Sequence, residues 1–372
     1  MKIFKKENIV IALFVIIIGT PYLIWPLIKN HVNAESAEKR ELAACPTLEL
    51  SKESLDAFPA AFETYINDHM PLRNQLIMTN SAINYHVFAT SSNQDVLVGK
   101  DGWLFYVKKS DGNPLANYLG KNLLSEAQLR TIADNVIKTQ ENLAKEGIEF
   151  IIMVNPNKEH VYPEYMPDIY DTPADMYITK QIVDYLKANT DVTVVYTLDS
   201  LLAAKEALGD DTLLYKKTDS HWNRLGTYIA TAELMKETGV SLPDYDSSEV
   251  SIVKTDDIPG DLSDMLGLGN LVNPGSLWEV TGYDEHNYKI TEADEEPYTT
   301  GTATGACPKK ILIRRDSFGE QMKEIIAAGY NESVLVHQLV FDNEVIKREK
   351  PDIFVYEVVE RNLTSLLNYV YE

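Results

Sequence analysis

Ile148-Glu149-Phe150-Ile151-Ile152-Met153-Val154 is the stretch on which the reading of this chain turns. It is apolar at every position but Glu149. A strand with one wet face alternates apolar and polar residues, whereas a run without alternation suits a central strand covered on both faces. Its flanks agree. Upstream, Ser125 and Gln128 form a capping box, Leu129, Ile132, Ala133, Val136 and Leu143 make the buried stripe of a helix, and Gly147 ends it. Downstream the pattern predicts a helix over about 175–188, a strand over 192–196 and a third helix over about 223–237, stopped by Gly239. After an irregular region it resumes: strand 310–314, helix 318–328, strand 333–336, helix 343–349, strand 353–356 and a short last helix. Strands alternating with helices imply an α/β protein, with a parallel sheet and helices on both faces.

Further out the elements differ. Val96 to Tyr106 reads as two short strands around Lys100-Asp101-Gly102. Trp103 and Tyr106 in it suit core packing or stacking on a sugar. Residues 55–82 have a helical pattern interrupted at Pro71, with His69 a structural or surface residue at the break. Residues 240–306 form an acidic, loop-rich insertion. Its densest run, Glu292-Ala293-Asp294-Glu295-Glu296, reads as solvated loop, since it lacks the interleaved glycine and closing glutamate of a calcium loop.

The 372 residues carry a net charge of -22 and an estimated pI near 4.7, which argues against nucleic acid as a partner. Lys2, Lys5 and Lys6 precede an apolar run from Ile9 to Ile28. About twenty residues at helical rise cross a bilayer core, and the positive flank keeps the N-terminus cytoplasmic. The organisation expected is therefore 1–30 as tail and transmembrane signal-anchor, 31–54 as stalk, and 55–372 as an extracytoplasmic domain held at the cell membrane. A cleavable signal peptide ending near Val32-Asn33-Ala34 is the alternative. Cys45 and Cys307 are either two free thiols or one long-range disulfide, and an exported body permits the bridge.

The chemistry gathers in two places. Lys217-Thr218-Asp219-Ser220-His221-Trp222-Asn223-Arg224-Leu225-Gly226 puts an acid two residues before an imidazole, after the strand-like Leu213-Leu214-Tyr215. In extended chain, positions two apart point the same way, so Asp219 can hold one ring nitrogen of His221 while the other takes a proton from a serine. Ser317 follows the strand Ile311-Leu312-Ile313-Arg314 directly and opens a helix, where its own N–H faces a developing oxyanion. Each has a plainer reading. Asp316 or Ser317 is only a helix cap, and an Asp or Asn cap precedes the third helix with His221 a bystander. No His-Glu-x-x-His, glycine-rich phosphate loop or Cys-x-x-Cys occurs, so neither a metal site nor a cofactor is indicated.

Taken together these motifs resemble the exported SGNH-hydrolase-like proteins of the alginate O-acetylation group (AlgJ and AlgX types) and their Gram-positive DHHW relatives. The resemblance rests on Gly99-Lys100-Asp101-Gly102-Trp103-Leu104-Phe105-Tyr106, Asn155-Pro156-Asn157-Lys158-Glu159-His160-Val161-Tyr162-Pro163, Thr218-Asp219-Ser220-His221-Trp222-Asn223, Gly260-Asp261-Leu262, Asp316-Ser317-Phe318 and Glu360-Arg361-Asn362. It covers about residues 55–365. It implies a three-layer SGNH-like sheet, circularly permuted so that the serine strand follows the Asp/His block. It also implies a triad of Ser317, His221 and Asp219, with Arg361, Asn362, Arg315 and Lys158 as candidates for oxyanion or substrate contacts; a structural salt bridge between Glu360 and Arg361 is the plainer reading of that turn. Arg315 departs from the glycine usual before Asp-Ser, and Ser220 replaces the first histidine of the DHHW name. The activity implied is O-acetyl transfer to a cell-surface or secreted polysaccharide, with a multi-pass membrane O-acyltransferase as donor partner. A carbohydrate acetylesterase or a non-catalytic polysaccharide-binding protein are the alternatives.

Overall fold

The computed structural model describes residues 6–28, 41–170, 172–283, 288–293, 298–304 and 306–372. The chain divides into two compact units, Met1–Phe88 and Ala89–Glu372. The sheet-bearing unit thus starts later than residue 55, because the helices before it cluster with the N-terminal segment.

In the first unit, helix α1 (Lys6–Ile28) carries an apolar stretch, Glu7–Leu27, of mean hydropathy 2.3, long and apolar enough to cross a membrane. The interrupted pattern of 55–82 becomes two helices, α2 (Lys52–Asp68) and α3 (Arg73–Phe88). His69 caps α2, donating its N–H to the Tyr65 carbonyl. Of the stalk expected over 31–54, residues 31–40 lie outside the described residues and α2 begins at Lys52.

The second unit opens with a hairpin of β1 (Val96–Val98) and β2 (Leu104–Tyr106). A short helix α4 (Pro114–Tyr118) and the capping-box helix α5 (Glu126–Lys145) lead into β3 (Glu149–Asn155), the strand foreseen from its unbroken apolar run. There follow α6 (Lys158–Val161), α7 (Ile178–Asn189), β4 (Thr193–Tyr196), α8 (Leu198–Leu208) and α9 (Arg224–Glu237). Helix α8 is not foreshadowed by the sequence pattern. The acidic region is less irregular than its composition suggests. It holds β5 (Ser251–Asp256), α10 (Asp261–Met265), β6 (Ser276–Thr281), β7 (Tyr288–Glu292) and β8 (Tyr298–Ala303). Of its densest acidic run, Asp294 to Glu296 lie outside the described residues. The chain closes with β9 (Cys307–Arg315), α11 (Lys323–Gly329), β10 (Tyr330–His337), α12 (Asn343–Glu349), β11 (Ile353–Val359) and a 3-10 turn, Glu360–Leu367.

Seven strands form one sheet in the order β4-β3-β11-β9-β10-β8-β7. The first five are parallel, and β8 and β7 extend the sheet antiparallel. Alternate residues of the central strands feed two separate cores. Ile151, Met153, Ile313 and Val355 pack on one face with α9, and Ile152, Val154, Leu312 and Phe354 on the other with α5 and α7. The sheet with its two covering layers is the SGNH-like three-layer fold. The carboxyl ends of β3, β9 and β11 meet at one edge, where such sheets carry their ligand sites.

Cys45 is exposed and Cys307 half-buried, and both are free thiols, one in each unit.

Candidate active site

Ser317 stands alone in its segment. Asp316 and Phe318 on either side are buried, while Ser317 is exposed. Buried carboxylates hold the turn by its amides. Asp316 Oδ1 accepts the Phe318 N–H at 2.8 Å, Asp316 Oδ2 accepts the Val359 N–H at 2.7 Å, and Glu357 Oε2 accepts the Asp316 N–H at 2.8 Å. Asn155 steadies Glu357 by donating Nδ2 to Oε1 at 2.6 Å. Burial and the neighbouring Asp316 charge push the Glu357 carboxyl well above its ordinary range. The Ser317 hydroxyl caps no helix, and its N–H has no acceptor among the described residues. The capping is done by Asp316, which leaves Ser317 free.

His221 meets it from the other side. Its Nε2 lies 2.8 Å from Ser317 Oγ, and its Nδ1 lies 2.7 Å from Asp219 Oδ1, which also accepts the His221 backbone N–H at 2.9 Å. The cap of α9 is Asn223, whose side chain accepts the Gly226 N–H, so neither Asp219 nor His221 is spent on capping. Burial pushes the Asp219 carboxyl up. The hydrogen bonds and charge of His221, with Lys216 behind, outweigh this and hold it well below the usual carboxylate range. Trp222 is fully buried and donates Nε1 to the Phe318 carbonyl at 3.2 Å, tying the residue after His221 to the residue after Ser317.

A third segment, Gly260–Ser263, closes on the Asp219 loop. Gly260 N–H bonds Thr218 Oγ1 at 3.2 Å, Ser263 N–H bonds the Thr218 carbonyl at 3.3 Å, and Asp261 N–H bonds Asp219 Oδ2 at 3.3 Å. Asp261 accepts the Ser220 N–H at 2.7 Å and the Ser220 hydroxyl at 2.5 Å, and its Oδ2 lies 3.8 Å from His221 Nδ1. A Cβ on Gly260 would sit 2.4 Å from Asp219 Cβ, so only glycine allows this approach. Asp219, His221 and Asp261 are also the set of possible metal-ligating side chains found among the described residues. Their atoms are already engaged in the bonds just given. Gly260-Asp261-Leu262 is one of the motifs shared with the family, and nothing in the sequence itself marks its role.

The remaining candidates divide. Lys158 does not face the opening. It is 2% exposed and its Nζ donates to three backbone carbonyls, those of Lys216, Lys217 and Asp219. Arg315 is buried too, paired with Glu320 and donating to the Asp316 carbonyl at 3.2 Å, so it braces the serine turn instead of meeting a ligand. Arg361 is partly buried, its guanidinium 5.5 Å from the Phe318 ring centroid and donating to Asn157 Oδ1 at 3.3 Å. Asn362, next to it, is half-exposed. Glu360 pairs with His160, 2.7 Å away, and Arg361 with Asp111, 3.6 Å away, so both residues of that turn stand in structural ion pairs, though not with each other. Trp103 is buried against Tyr165, as core packing requires, while Tyr106 is half-buried and bonds Asp111.

Proteins with this fold are known. A DHHW family protein from Eubacterium siraeum superposes with a TM-score of 0.52 at 14% identity, covering 74% of this chain and 99% of the other. PatB1 of Bacillus cereus gives 0.50 at 14% identity, with 72% and 96% covered. Residues 96–296 match the family described as SGNH hydrolase-like domain, acetyltransferase AlgX, and the chain belongs to that family. The match includes Asp219, His221 and Asp261 and ends before Ser317. Among curated relatives, the probable alginate O-acetylase AlgJ of Pseudomonas syringae pv. tomato is 25% identical over 214 residues, 57% of this chain and 51% of that protein. AlgJ of Pseudomonas fluorescens is 22% identical over 320 residues, 82% and 77% of the two chains. The chain thus spans about half the length of the first relative and more of the second.

Proposed function

We propose that this chain is an extracytoplasmic O-acetyltransferase that moves an acetyl group to a polysaccharide hydroxyl through an acetyl-Ser317 intermediate. The observation that carries the reading is the continuous relay Asp219–His221–Ser317, with 2.7 and 2.8 Å links, ending on an exposed hydroxyl. His221 Nε2 takes the Ser317 proton as Oγ attacks the acetyl carbonyl. Asp219 holds the ring and stabilises the imidazolium. The oxyanion is met by the unoccupied Ser317 N–H, with Arg361 and Asn362 as candidates for a further donor. Collapse expels the donor's leaving group, which takes the proton from His221. In the second half His221 removes the proton of a sugar hydroxyl, that oxygen attacks the acetyl-serine, and the proton returns to Ser317.

Family membership and the AlgJ relatives' names support acetyl transfer and a polysaccharide acceptor. Helix α1 suits a signal-anchor that keeps the domain on the outer side of the membrane. The acetyl donor would reach it through a multi-pass membrane O-acyltransferase. The exposure of Ser317 favours a second reading: water also reaches the acyl-enzyme, and hydrolysis would make the protein a carbohydrate acetylesterase.

The test uses the full chain in detergent with an activated acetyl ester, with and without an unacetylated polysaccharide such as alginate. Ester cleavage with acetyl appearing on the polymer supports transfer, and cleavage alone supports the esterase. Ser317→Ala equal to wild type in both assays overturns the serine reading.

A further inference from the structure

Lys158 is a cation in an unusual place. It follows the carboxyl end of β3, is almost wholly buried, and belongs to no ion pair within 4 Å among the described residues. A buried ammonium is costly unless its donors are matched. Its three acceptors are backbone carbonyls, at 3.1 Å (Lys216), 3.2 Å (Lys217) and 2.6 Å (Asp219), all within the loop that carries His221. Below it lie the rings of Trp103 and Phe105, with centroids 5.5 and 5.3 Å from Nζ, at cation–π range. The hairpin that supplies those rings is itself joined to the loop, because Leu104 N–H bonds the Lys217 carbonyl.

We propose that Lys158 is a positioning residue of this site: its ammonium gathers the Lys216, Lys217 and Asp219 carbonyls and so fixes the Asp219–His221 pair opposite Ser317. Three carbonyl dipoles turned inward repel one another, and a cation at their focus removes the repulsion. The Asp219 carbonyl bond matters most, since it sets the backbone from which the Asp219 side chain reaches His221. Burial draws the ammonium down to about 8, against the pull of Asp219, Asp261 and Glu159, so at neutral pH it keeps all three donors. The inference rests on the acyl-serine reading above.

The experiment follows covalent labelling of the full chain by a fluorophosphonate, together with the far-downfield NMR signal of the His221 Nδ1 proton shared with Asp219. Wild type should be labelled at Ser317. If it is not, or if Ser317→Ala is labelled equally, the serine reading fails and the role of Lys158 falls with it. Given labelled wild type, Lys158→Met should fold, react about 30-fold more slowly or worse, and lose the downfield signal. Lys158→Arg, which keeps the charge but spreads its donors over a planar fork, should recover part of both. Lys158→Met with wild-type labelling and an intact signal overturns the proposal. If the methionine variant does not fold, the arginine variant decides: slower labelling with a shifted signal supports the role, and wild-type behaviour in both overturns it.

Discussion

The two halves of the site are held by opposite kinds of hydrogen-bonding partner. The Asp219–His221 loop is gathered by its carbonyls onto the cation Lys158, whereas the Ser317 turn is gathered by its amides onto the buried carboxyl groups of Asp316 and Glu357. Each arrangement leaves free the group that the proposed chemistry needs. Holding the serine turn by the Asp316 and Phe318 N–H groups spares the Ser317 N–H for an oxyanion. Holding the histidine loop from behind spares the imidazole edge that faces Ser317. The supports also differ in reach. Those of the serine turn come from neighbouring strands of one sheet, but those of the histidine loop come from the β1–β2 hairpin, the end of β3 and the Gly260–Ser263 segment. The loop should therefore be the easier half to break from a distance.

Gly260→Val attacks that half directly. Its side chain would enter the space of Asp219 Cβ, and the acid would be driven from the ring. A displacement of about 1 Å at such a group costs on the order of 100-fold in rate. The variant should lose at least that in kcat/KM on an activated acetyl ester, while circular dichroism shows a folded domain. Wild-type turnover would mean that the loop does not need this contact.

Asp316→Ala attacks the other half. It strips the acceptors from two buried N–H groups, and bonds to an ionised group are worth roughly 1.5–3 kcal/mol each. Stability in urea should fall by about 3–5 kcal/mol, along with ester cleavage. A small loss of stability with full activity would show that the turn is held by its strands alone.

How much of this was legible in the sequence follows the same division. Asp219, His221 and Ser317 could be found because each sits next to a strand signal, and short-range geometry says which way a side chain two residues on will point. The parallel core was legible because β3 carries an unbroken apolar run and β9 and β11 carry shorter ones, Ile311–Ile313 and Ile353–Tyr356. What holds the proposed catalytic groups was not. Gly260, Glu357 and the inward turn of Lys158 act across more than forty residues of chain, and nothing local marks a lysine as buried or a glycine as pressed against a distant aspartate. Strands β7 and β8 were hidden for another reason. Their threonines, glycine and charged residues suit an outer, half-wet part of a sheet and lack the apolar run that announces a central one.

Titration separates the supports further. Glu159, beside Lys158, is fully buried, and desolvation pushes its carboxyl up to about 7 against the pull of His160. A carboxyl raised on folding is bound more tightly to its proton in the native state. Its contribution is complete below about pH 4.5 and is lost as pH rises through about 7. The loss is of order 3 kcal/mol. Glu159→Gln should remove it, so the stability difference between variant and wild type should widen in the variant's favour between pH 5 and 8. A constant difference across that range would contradict the assignment.

The smallest effect expected lies outside both halves and serves as their control. Ser125 caps α5 in a reciprocal pair: its hydroxyl accepts the Gln128 N–H, and the Gln128 side chain accepts the Ser125 N–H. The bonds are exposed, so their replacement by water is cheap, and an N-cap serine is worth about 1 kcal/mol. Helix α5 packs on the β3 face opposite the core that includes Trp222 and Phe318. Ser125→Ala should therefore lower the melting temperature by a few degrees and leave both fluorophosphonate labelling and ester cleavage at wild-type rates. If this variant slowed the chemistry as Gly260→Val is expected to, general loosening of the domain would account for both, and the distinction between a loop held from afar and a turn held by its own sheet would lose its basis.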